Sequence, residues 1–208
     1  MFPFDLFKRD LNYRIKGSRC YLQPLRKSDV PQIKLWFKNK ELVSYAFGVI
    51  AEDYILERLA DKYIKNIYTS SDEVLGIWLY PGIFVGFFNY IMNQNNSKSA
   101  TIGIIIGTEN NRSKGVGTDA VNLALYYLFY CKGLNQVDLD TACFNVRAQK
   151  CFYRCGFKKI REVTEVNFLN GELIHKVEMS LERERFYENL ENTFPTLPVI
   201  EGNPLKTG

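Results

Sequence analysis

The sequence predicts an α/β protein with one mostly antiparallel central sheet and helices packed against it. Apolar residues alternate in several short runs, as in strands, and recur every three or four residues in others, as in helices. The 208 residues are 46% hydrophobic and 24% charged, a composition typical of a globular domain with one core. We expect an N-terminal arm at residues 1–18, one domain at 19–192 and an extended C-terminal tail at 193–208.

The first part of the domain predicts one strand and two helices. The run "RCYLQPL" at residues 19–25 alternates as a strand does, and Asp29 is expected to cap the helix that follows. A second helix is expected at about 51–67, and "KNKELVSYAFG" before it is expected to connect the two helices. The apolar positions of the second helix recur at helical spacing: Leu56, Leu59, Tyr63 and Ile67.

Three extended runs follow and indicate an antiparallel meander. They are "EVLGIWLY", "IFVGFFNYI" and "ATIGIIIG", separated by the turn sequences "PG" and "NQNNSKS". The pattern then becomes helical from residue 116 to 130, and "QVDLDTA" returns to strand alternation. A helix at 145–155 and a closing hairpin around the "NG" at 170 and 171 complete the predicted order.

Composition and motif spacing exclude several classes of function. The five cysteines lack CxxC spacing and His175 is the single histidine, so we expect no metal site and a reduced, cytoplasmic setting. The formal charge is +4, but the cations are scattered and no basic arm for nucleic acid is present. No segment has the roughly 18 uncharged apolar residues of a membrane span, and the N-terminus is not patterned as a signal peptide.

The turn "RSKGVGT" has the chemistry of a phosphate-binding loop. Gly115 and Gly117 allow a ligand to approach the backbone, and the helix that begins near Val116 directs free N–H groups to the same place. Arg112 and Lys114 add positive charge. The turn is neither a P-loop nor a dinucleotide fingerprint, because GxxxxGK[ST] and GxGxxG are both missing. A diphosphate fits this turn, and a glycine-rich loop without a ligand is the alternative.

Two motifs together resemble the GNAT superfamily of N-acetyltransferases, in the style of its ribosomal-protein and small-amine branch. "RSKGVGT" matches the R/Q-x-x-G-x-G/A signature, and "NVRAQKCFYRCGF" resembles the N-x-x-A helix that ends in GF. The resemblance covers about residues 19–182 and includes the order of elements. It implies the acyl-CoA N-acyltransferase fold with splayed central strands, and acetyl-CoA as cosubstrate without a metal.

The resemblance also implies the cofactor-binding residues. The pyrophosphate is expected on the backbone N–H groups of Arg112, Ser113, Lys114, Gly115, Val116, Gly117 and Thr118. The pantetheine arm is expected along the backbone of Ile104, Ile105 and Ile106, with Asn145 bonding it from the other side.

The general acid is where the sequence departs from the family pattern. Many members have a tyrosine seven residues after the helix asparagine, and that position is Phe152 here. At about 100° per residue, Phe152 lies about 20° from Asn145 around the helix, and Tyr153 lies about 80° away. Phe152 is therefore expected to face the cofactor or pack in the core, and Tyr153 is an acid candidate only if the helix is rotated. Cys151 and Cys155 are expected to be buried, unreactive thiols.

The general base is not determined by the sequence, because the strand "SATIGIIIG" carries no carboxylate. Six side chains are candidates for the base, although each also fits a surface position: Asp53, Glu57, Glu73, Asp138, Asp140 and His175. The acceptor region is expected to be aromatic rather than acidic: Trp36, Tyr45, Phe47 and Tyr54. Without clustered carboxylates, a single amine is favoured over a polycation.

The leading hypothesis is acetyl transfer to a primary amine of a small molecule, a protein N-terminus or a lysine, by direct attack in a ternary complex. A CoA-binding sensor or scaffold without turnover is the second hypothesis, since Phe152 replaces the expected tyrosine. A transferase for a longer acyl chain is the third, because the motifs recognise CoA rather than the acyl group. The sequence does not specify the acceptor or the oligomeric state.

Overall fold

The computed structural model describes residues 13–49, 73–167 and 171–202, together with positions 53, 56, 57, 59–61, 64 and 65. Nine strands lie in these parts of the chain: β1 (Arg14–Lys16), β2 (Cys20–Pro24), β3 (Glu73–Leu79), β4 (Ile83–Asn93), β5 (Asn96–Ile106), β6 (Gln136–Ala142), β7 (Lys158–Val166), β8 (Leu173–Glu182) and β9 (Val199–Glu201). They form one sheet in the order β7-β8-β6-β5-β4-β3-β2-β1-β9.

The helices flank this sheet. Those with described bounds are α1 (Val30–Phe37), α2 (Lys40–Phe47), α3 (Val116–Tyr126), α4 (Val146–Arg154), α5 (Arg183–Glu188) and α6 (Leu190–Thr193). A π-helical turn at Tyr127–Cys131 continues α3, and short 3-10 turns at Lys27–Asp29 and Glu109–Asn111 precede α1 and the glycine turn. In the described parts of the chain, no helix is long and apolar enough to cross a membrane.

The predicted fold class is confirmed. β3, β4 and β5 pair antiparallel in sequence order as the predicted meander, and β7 pairs with β8 as the predicted closing hairpin. The described positions between 53 and 65 are helical, as expected for the second predicted helix, while Tyr54, Tyr63 and Ile67 lie outside the described residues.

The sheet also includes segments of the predicted arm and tail. β1 lies within residues 1–18 and pairs with both β2 and β9, and β9 lies within residues 193–208. Three-residue strands carry too little alternation to be recognised from sequence, since their pairing comes from neighbours that are distant along the chain.

Two details near α1 and α2 differ from the sequence-based expectation. The segment expected to be a connection contains α2, where the Asn39 side chain accepts the Leu42 N–H at 2.9 Å and Gly48 ends the helix at φ +68°. These are ordinary helix start and stop signals in a short segment. Asp29 precedes α1 as predicted, but its carboxylate accepts the N–H of Arg26 at 2.8 Å instead of capping the helix.

The sheet opens between β5 and β6. These strands pair in parallel at only three positions, from Ser99 opposite Gln136 to Thr101 opposite Asp138. β5 then continues to Ile106 beside β4, whereas β6 continues to Ala142 beside β8. The predicted splay of the central strands is therefore present, and it leaves a gap in the middle of the sheet.

The core is divided between the two faces of the sheet. One buried cluster joins α3 and α4 to the sheet and includes Leu123, Phe129 and Phe152. The other lies under α1 and α2 and includes Ile33, Trp36 and Phe87. Burial of apolar side chains on both faces fixes the helices against the sheet on either side of the gap.

Candidate functional site

A cavity of about 530 Å³ occupies the gap in the sheet. Its wall consists of the end of β5, the glycine turn before α3, the length of α4 and one side of α2. The lining residues are Leu42, Tyr45, Ala46, Ile104, Ile105, Ile106, Arg112, Ser113, Gly115, Gly117, Thr118, Asn145, Val146, Arg147, Ala148, Lys150, Cys151, Phe152 and Arg154. The structure thus brings together most of the residues that the sequence assigned to a cofactor.

The glycine turn is shaped to present backbone N–H groups. Ser113 and Gly115 both have positive φ, at 60° and 81°, a backbone arrangement that turns N–H groups inward. α3 begins directly afterwards, with the N–H of Asp119 bonded to the carbonyl of Gly115 at 3.0 Å. The earlier N–H groups of the first turn have no acceptor within the helix, and the helix dipole favours an anion beside them.

Two predicted residues of this turn do not line the cavity with their side chains. Lys114 is exposed, and Val116 is buried in the core, so only their backbone groups are positioned for a ligand. Arg112 lines the cavity but also secures the turn, because its Nε donates to the carbonyl of Ile106 at 3.2 Å. The turn is thereby held against the end of β5.

An arginine that the sequence did not indicate lies near the N-terminal end of α3. The Asp119 carboxylate accepts the N–H groups of Arg19 and Cys20 at 3.0 and 3.1 Å, which fastens the start of β2 to the helix. The Arg19 side chain then lies beside the turn, where a Cβ added to Gly115 would be 3.5 Å from its Nε. Arg19 is far from the motif in sequence, so no spacing rule could have found it.

Asn145 joins α4 to α2. Its side-chain oxygen accepts the N–H of Ala148 at 3.1 Å, and its side-chain nitrogen donates to the carbonyl of Tyr45 at 3.1 Å. Both polar ends of this buried amide therefore have protein partners. Contact between Asn145 and a pantetheine arm stays a prediction.

The two neighbouring aromatic residues of α4 point in different directions. Phe152 lines the cavity, is 6% exposed and packs edge-on against Phe157 at 5.8 Å between ring centroids. Tyr153 is 46% exposed and is not among the lining residues, so the proposal that it acts as the acid lacks the required geometry. The helical rotation of about 100° per residue is the reason.

The charge of the cavity wall is entirely positive among the described lining residues. Arg112, Arg147, Lys150 and Arg154 contribute four cations, and no carboxylate is part of the wall that the structure describes. The three cations of α4 follow the spacing i, i+3 and i+7, which places them along one edge of the helix. That spacing was a sequence signal for a basic edge, and it was missed.

One cysteine of α4 faces the cavity, contrary to the expectation of two buried thiols. Cys151 is half-buried with its Sγ 3.4 Å from the hydroxyl oxygen of Thr118, whereas Cys155 is buried. A hydrogen bond from the Cys155 thiol, assisted by Thr118 and the charge of Arg154, lowers the pKa of Cys151 although burial opposes the shift. The same contact and its burial raise the pKa of Cys155.

A smaller cavity of about 120 Å³ adjoins the first one, sharing Ala46 as a wall residue. It lies between the end of α2, the end of β6 and the β7–β8 hairpin. The ammonium group of Lys176 contacts both Asp140, at 3.2 Å, and Glu165 there. This second space therefore contains carboxylates, but they are already paired with a cation from the same chain.

The candidate general bases are distributed around the molecule, and the described ones do not line the larger cavity. Asp53 is exposed and pairs with Lys40 at 2.9 Å, while Glu57 is exposed. Asp138 accepts a hydrogen bond from Ser180 at 2.6 Å, and the Nδ1 of His175 lies 2.8 Å from the hydroxyl of Thr164 on an exposed hairpin.

The last two of the six candidate general bases are Asp140 and Glu73. Asp140 lines the smaller cavity, and the side chain of Glu73 lies outside the described part of the chain.

Comparison with known proteins identifies the family. A family model described as an acetyltransferase (GNAT) domain matches residues 19–158. The chain belongs to the GNAT acetyltransferase family. The predicted resemblance is confirmed, and this GNAT protein is an N-acetyltransferase that uses acetyl-CoA.

Similar proteins agree with this assignment. The GNAT chain is 25% identical over 161 residues to a probable N-acetyltransferase, YjcK, of Bacillus subtilis (strain 168), covering 70% of this chain and 83% of that protein. A solved spermidine N-acetyltransferase from Vibrio cholerae, in complex with CoA and spermine, has a TM-score of 0.68 at 24% identity. A GNAT-family acetyltransferase from Bacillus anthracis has a TM-score of 0.68 at 13% identity. Each structural match covers 82% of this chain and 99% of the other, and shows the shared fold.

Proposed function

We propose that the cavity at the gap binds acetyl-CoA and that the acetyl group passes to a primary amine arriving from the α2 side. One observation supports this most strongly. The cavity links an N–H-rich turn at a helix start to an open strand edge, and its wall carries four cations. An elongated molecule with an anionic diphosphate at one end and an amide-containing arm matches both features.

Each part of the wall then has a role. The N–H groups of residues 112–118 bond the diphosphate, and Arg147, Lys150 and Arg154 supply charge for its remaining phosphate oxygens. The backbone of residues 104–106, which β6 no longer pairs, bonds the amides of the pantetheine arm. Phe152 packs against the apolar part of the arm.

The reaction requires few protein groups. A neutral amine attacks the thioester carbonyl and forms the new C–N bond, and the carbonyl oxygen gains negative charge beside the N–H groups of β5. The amine nitrogen gives up a proton to solvent, and the C–S bond breaks so that CoA leaves as a thiolate. A thiol of ordinary pKa near 8.5 is a fair leaving group at neutral pH, so the phenyl ring of Phe152 is compatible with turnover. A general acid typically contributes about 10² to 10⁴ in rate, which bounds the cost of its absence.

The acceptor is proposed to be a single primary amine, on a small molecule or on a protein. Tyr45, Leu42 and Ala46 form the α2 side of the wall and offer aromatic and apolar contact. The ammonium group of Lys176 contacts both adjoining carboxylates, Asp140 and Glu165, and offsets part of their charge, which reduces their attraction for a polycation. The Vibrio cholerae relative is a spermidine N-acetyltransferase, so polyamines belong in the test as a contrasting class.

Free thiol release from acetyl-CoA tests the proposal directly. The full chain is incubated with acetyl-CoA and a panel of amino acids, amino sugars, peptides with free N-termini and polyamines. We expect amine-dependent thiol release and an acetylated product of the corresponding mass. Absence of turnover across the panel, with CoA binding intact, would count against acetyl transfer.

Phe152 supports a second candidate, a CoA-binding module without turnover, because it places no hydroxyl at the wall. This module would be stabilised against heat by acetyl-CoA, and it would release no thiol whichever acceptor is added. A series of acyl-CoA lengths in the same assay separates acetyl transfer from transfer of a longer chain, since the wall features described above recognise CoA rather than its acyl group.

A further inference from the structure

We propose that Cys151 is a thiol modification site within the cavity, where it forms mixed disulfides with small anionic disulfides and thereby closes the cofactor cavity. The proposal goes beyond acetyl transfer and does not require it. It rests on the position of the thiol, on the groups that polarise it and on the charges around it.

Cys151 lies at the boundary between the two sides of α4. At about 100° per residue, Ala148 and Cys155 lie within about 60° of it towards the core. Arg147 and Arg154 lie within about 60° of it on the opposite side. The side chain is therefore held by the core while its sulfur faces the cationic wall, and both Cys151 and these arginines line the cavity.

The surroundings of the sulfur favour its thiolate form. The Thr118 hydroxyl is 3.4 Å away, and the carbonyl of Thr118 lies 3.7 Å from the Sγ of Cys155, which fixes the second thiol beside the first. Thr118 is in the first turn of α3, where the helix dipole also favours negative charge. A hydrogen bond from the Cys155 thiol, the Thr118 hydroxyl and the charge of Arg154 together lower the pKa of Cys151, although burial opposes the shift.

The charges select the co-reactant. Arg112, Arg147, Lys150 and Arg154 attract anions, and no lining carboxylate in the described wall repels them. A disulfide that carries carboxylates or phosphates is thus concentrated near the sulfur, whereas an uncharged disulfide is not. Glutathione-type disulfides and disulfides of CoA share this chemistry.

The step is a thiol–disulfide exchange. The Cys151 thiolate attacks one sulfur of the disulfide, a new S–S bond forms to that sulfur, and the original S–S bond breaks. The other half leaves as a thiolate and takes a proton from solvent. No further oxidant is needed, and a thiol reductant reverses the reaction.

The adduct would occupy the space that the diphosphate needs. A Cβ built on Gly117 would lie 3.7 Å from the Sγ of Cys151 and 3.9 Å from Ile106, so the sulfur lies directly under the glycine turn. A group attached to this sulfur extends into the cavity against that turn. Modification is therefore expected to abolish CoA binding until a reductant removes the group.

The other cysteines lack this combination. Cys20 is fully buried against Asp119, and burial raises its pKa. Cys155 is also buried. The pKa of Cys131 is raised by its own partial burial. Cys131 and Cys143 are half-buried and do not line the cavity, which makes them suitable controls.

The test compares two disulfides on the folded full chain. The dicarboxylate dithiobis(nitrobenzoate) and the uncharged dithiodipyridine are reacted with the wild type, Cys151→Ser and the control Cys143→Ser, and modified residues are located by peptide mass. We expect the wild type to react with the dicarboxylate in a fast phase that comes from Cys151. This phase should be absent in Cys151→Ser and present in Cys143→Ser. The dicarboxylate preference should fall about tenfold in Arg154→Gln and at high salt.

Physiological disulfides show which kind of anionic disulfide modifies Cys151. Oxidised glutathione and CoA disulfide are each added, the adduct is identified by intact mass, and CoA binding is measured before and after a thiol reductant. A Cys151 adduct that abolishes CoA binding reversibly supports the proposal. Equal labelling of Cys151→Ser, or equal rates for charged and uncharged disulfides, overturns it.

These readouts are separate from turnover. If the fast, charge-selective labelling persists but CoA neither protects Cys151 nor is displaced by the adduct, the reaction at Cys151 is supported. The inference that the adduct closes the cofactor cavity is then overturned, together with the proposed position of the cofactor.

Discussion

The two adjoining cavities share Ala46 but have opposite chemistry. The larger one is lined by four cations and a turn of N–H groups, and the smaller one contains Asp140 and Glu165 closed around Lys176. The larger is built chiefly from two continuous segments, at 112–118 and 145–154, whereas the smaller is assembled from α2, β6 and a hairpin. The proposed cofactor cavity is thus formed by local motifs, whereas the smaller cavity beside it is formed by the packing of distant segments.

Substitution of Gly115 should produce the largest effect, because it alters the larger cavity and its affinity for CoA while leaving the smaller cavity unchanged. Its φ of +81° is unfavourable for a β-branched residue, and a Cβ would stand at the N–H turn beside Arg19. We expect Gly115→Val to weaken CoA binding about 100-fold or more, through lost N–H contacts and about 1–2 kcal/mol of backbone strain. Calorimetric titration with CoA measures the effect.

Gly133→Val is the matched control. Gly133 also has positive φ, at 65°, but it lies beside Lys98 rather than in the cavity wall. The Gly133→Val variant should lose about as much thermal stability as Gly115→Val, while its CoA affinity remains near that of the wild type. Equal loss of CoA affinity in both variants would mean that backbone strain alone, and not the N–H groups of the glycine turn, explains the result.

The cationic edge of α4 should give the next largest effect. Replacing Arg147 or Arg154 by Gln removes one positive charge from the wall where we propose that the phosphates bind. We expect CoA affinity to fall about tenfold at low salt and less at high salt. Arg161→Gln, on the exposed hairpin where Arg161 pairs with Glu178 at 2.7 Å, is the control and should leave affinity unchanged. A salt-independent loss would contradict a role in phosphate binding.

Lys176 tests the acceptor side. Its contacts with Glu165 and Asp140 raise its pKa despite burial, so the ammonium is charged at neutral pH. Lys176→Met removes that cation and frees two carboxylates, and we expect the KM for diamines to fall a few-fold relative to monoamines, since surface charge pairs contribute about 1 kcal/mol or less. Lys159→Met, which disrupts a pair with Glu162 elsewhere on the hairpin, should leave this ratio unchanged.

The smallest effect is expected at Tyr153. Because its ring is exposed and outside the cavity wall, Tyr153→Phe should change kcat less than about twofold. Phe152→Tyr should instead alter kcat or CoA affinity, because it places a hydroxyl inside the wall. A large loss of kcat in Tyr153→Phe, with unchanged folding, would reverse the orientation proposed for α4.

Most residues of the larger cavity were predictable as neighbours because they are close in sequence. "RSKGVGT" and the Asn145 helix could be located by spacing, and helical geometry placed Phe152 rather than Tyr153 at the wall. The basic edge of α4 was equally readable, since its cations recur at i, i+3 and i+7, but the motif drew attention to the opposite side of the helix.

The other features of the site and the sheet depend on contacts between residues that are distant in sequence, and no local sequence pattern predicts such contacts. Arg19 reaches the turn because Asp119 binds the start of β2, and β9 becomes a strand only by pairing with β1. The carboxylates of the smaller cavity meet because β6 and β7 both flank β8. Clusters built by strand order in this way cannot be seen in a single sequence.

Hydrogen exchange with and without CoA tests whether the cofactor binds in the larger cavity, because it reports on both cavities in one experiment. We expect CoA to protect amides at residues 112–118, at 104–106 and along α4, with little change in the β7–β8 hairpin. Protection centred on the hairpin and the end of β6, or none at the glycine turn, would contradict this expectation.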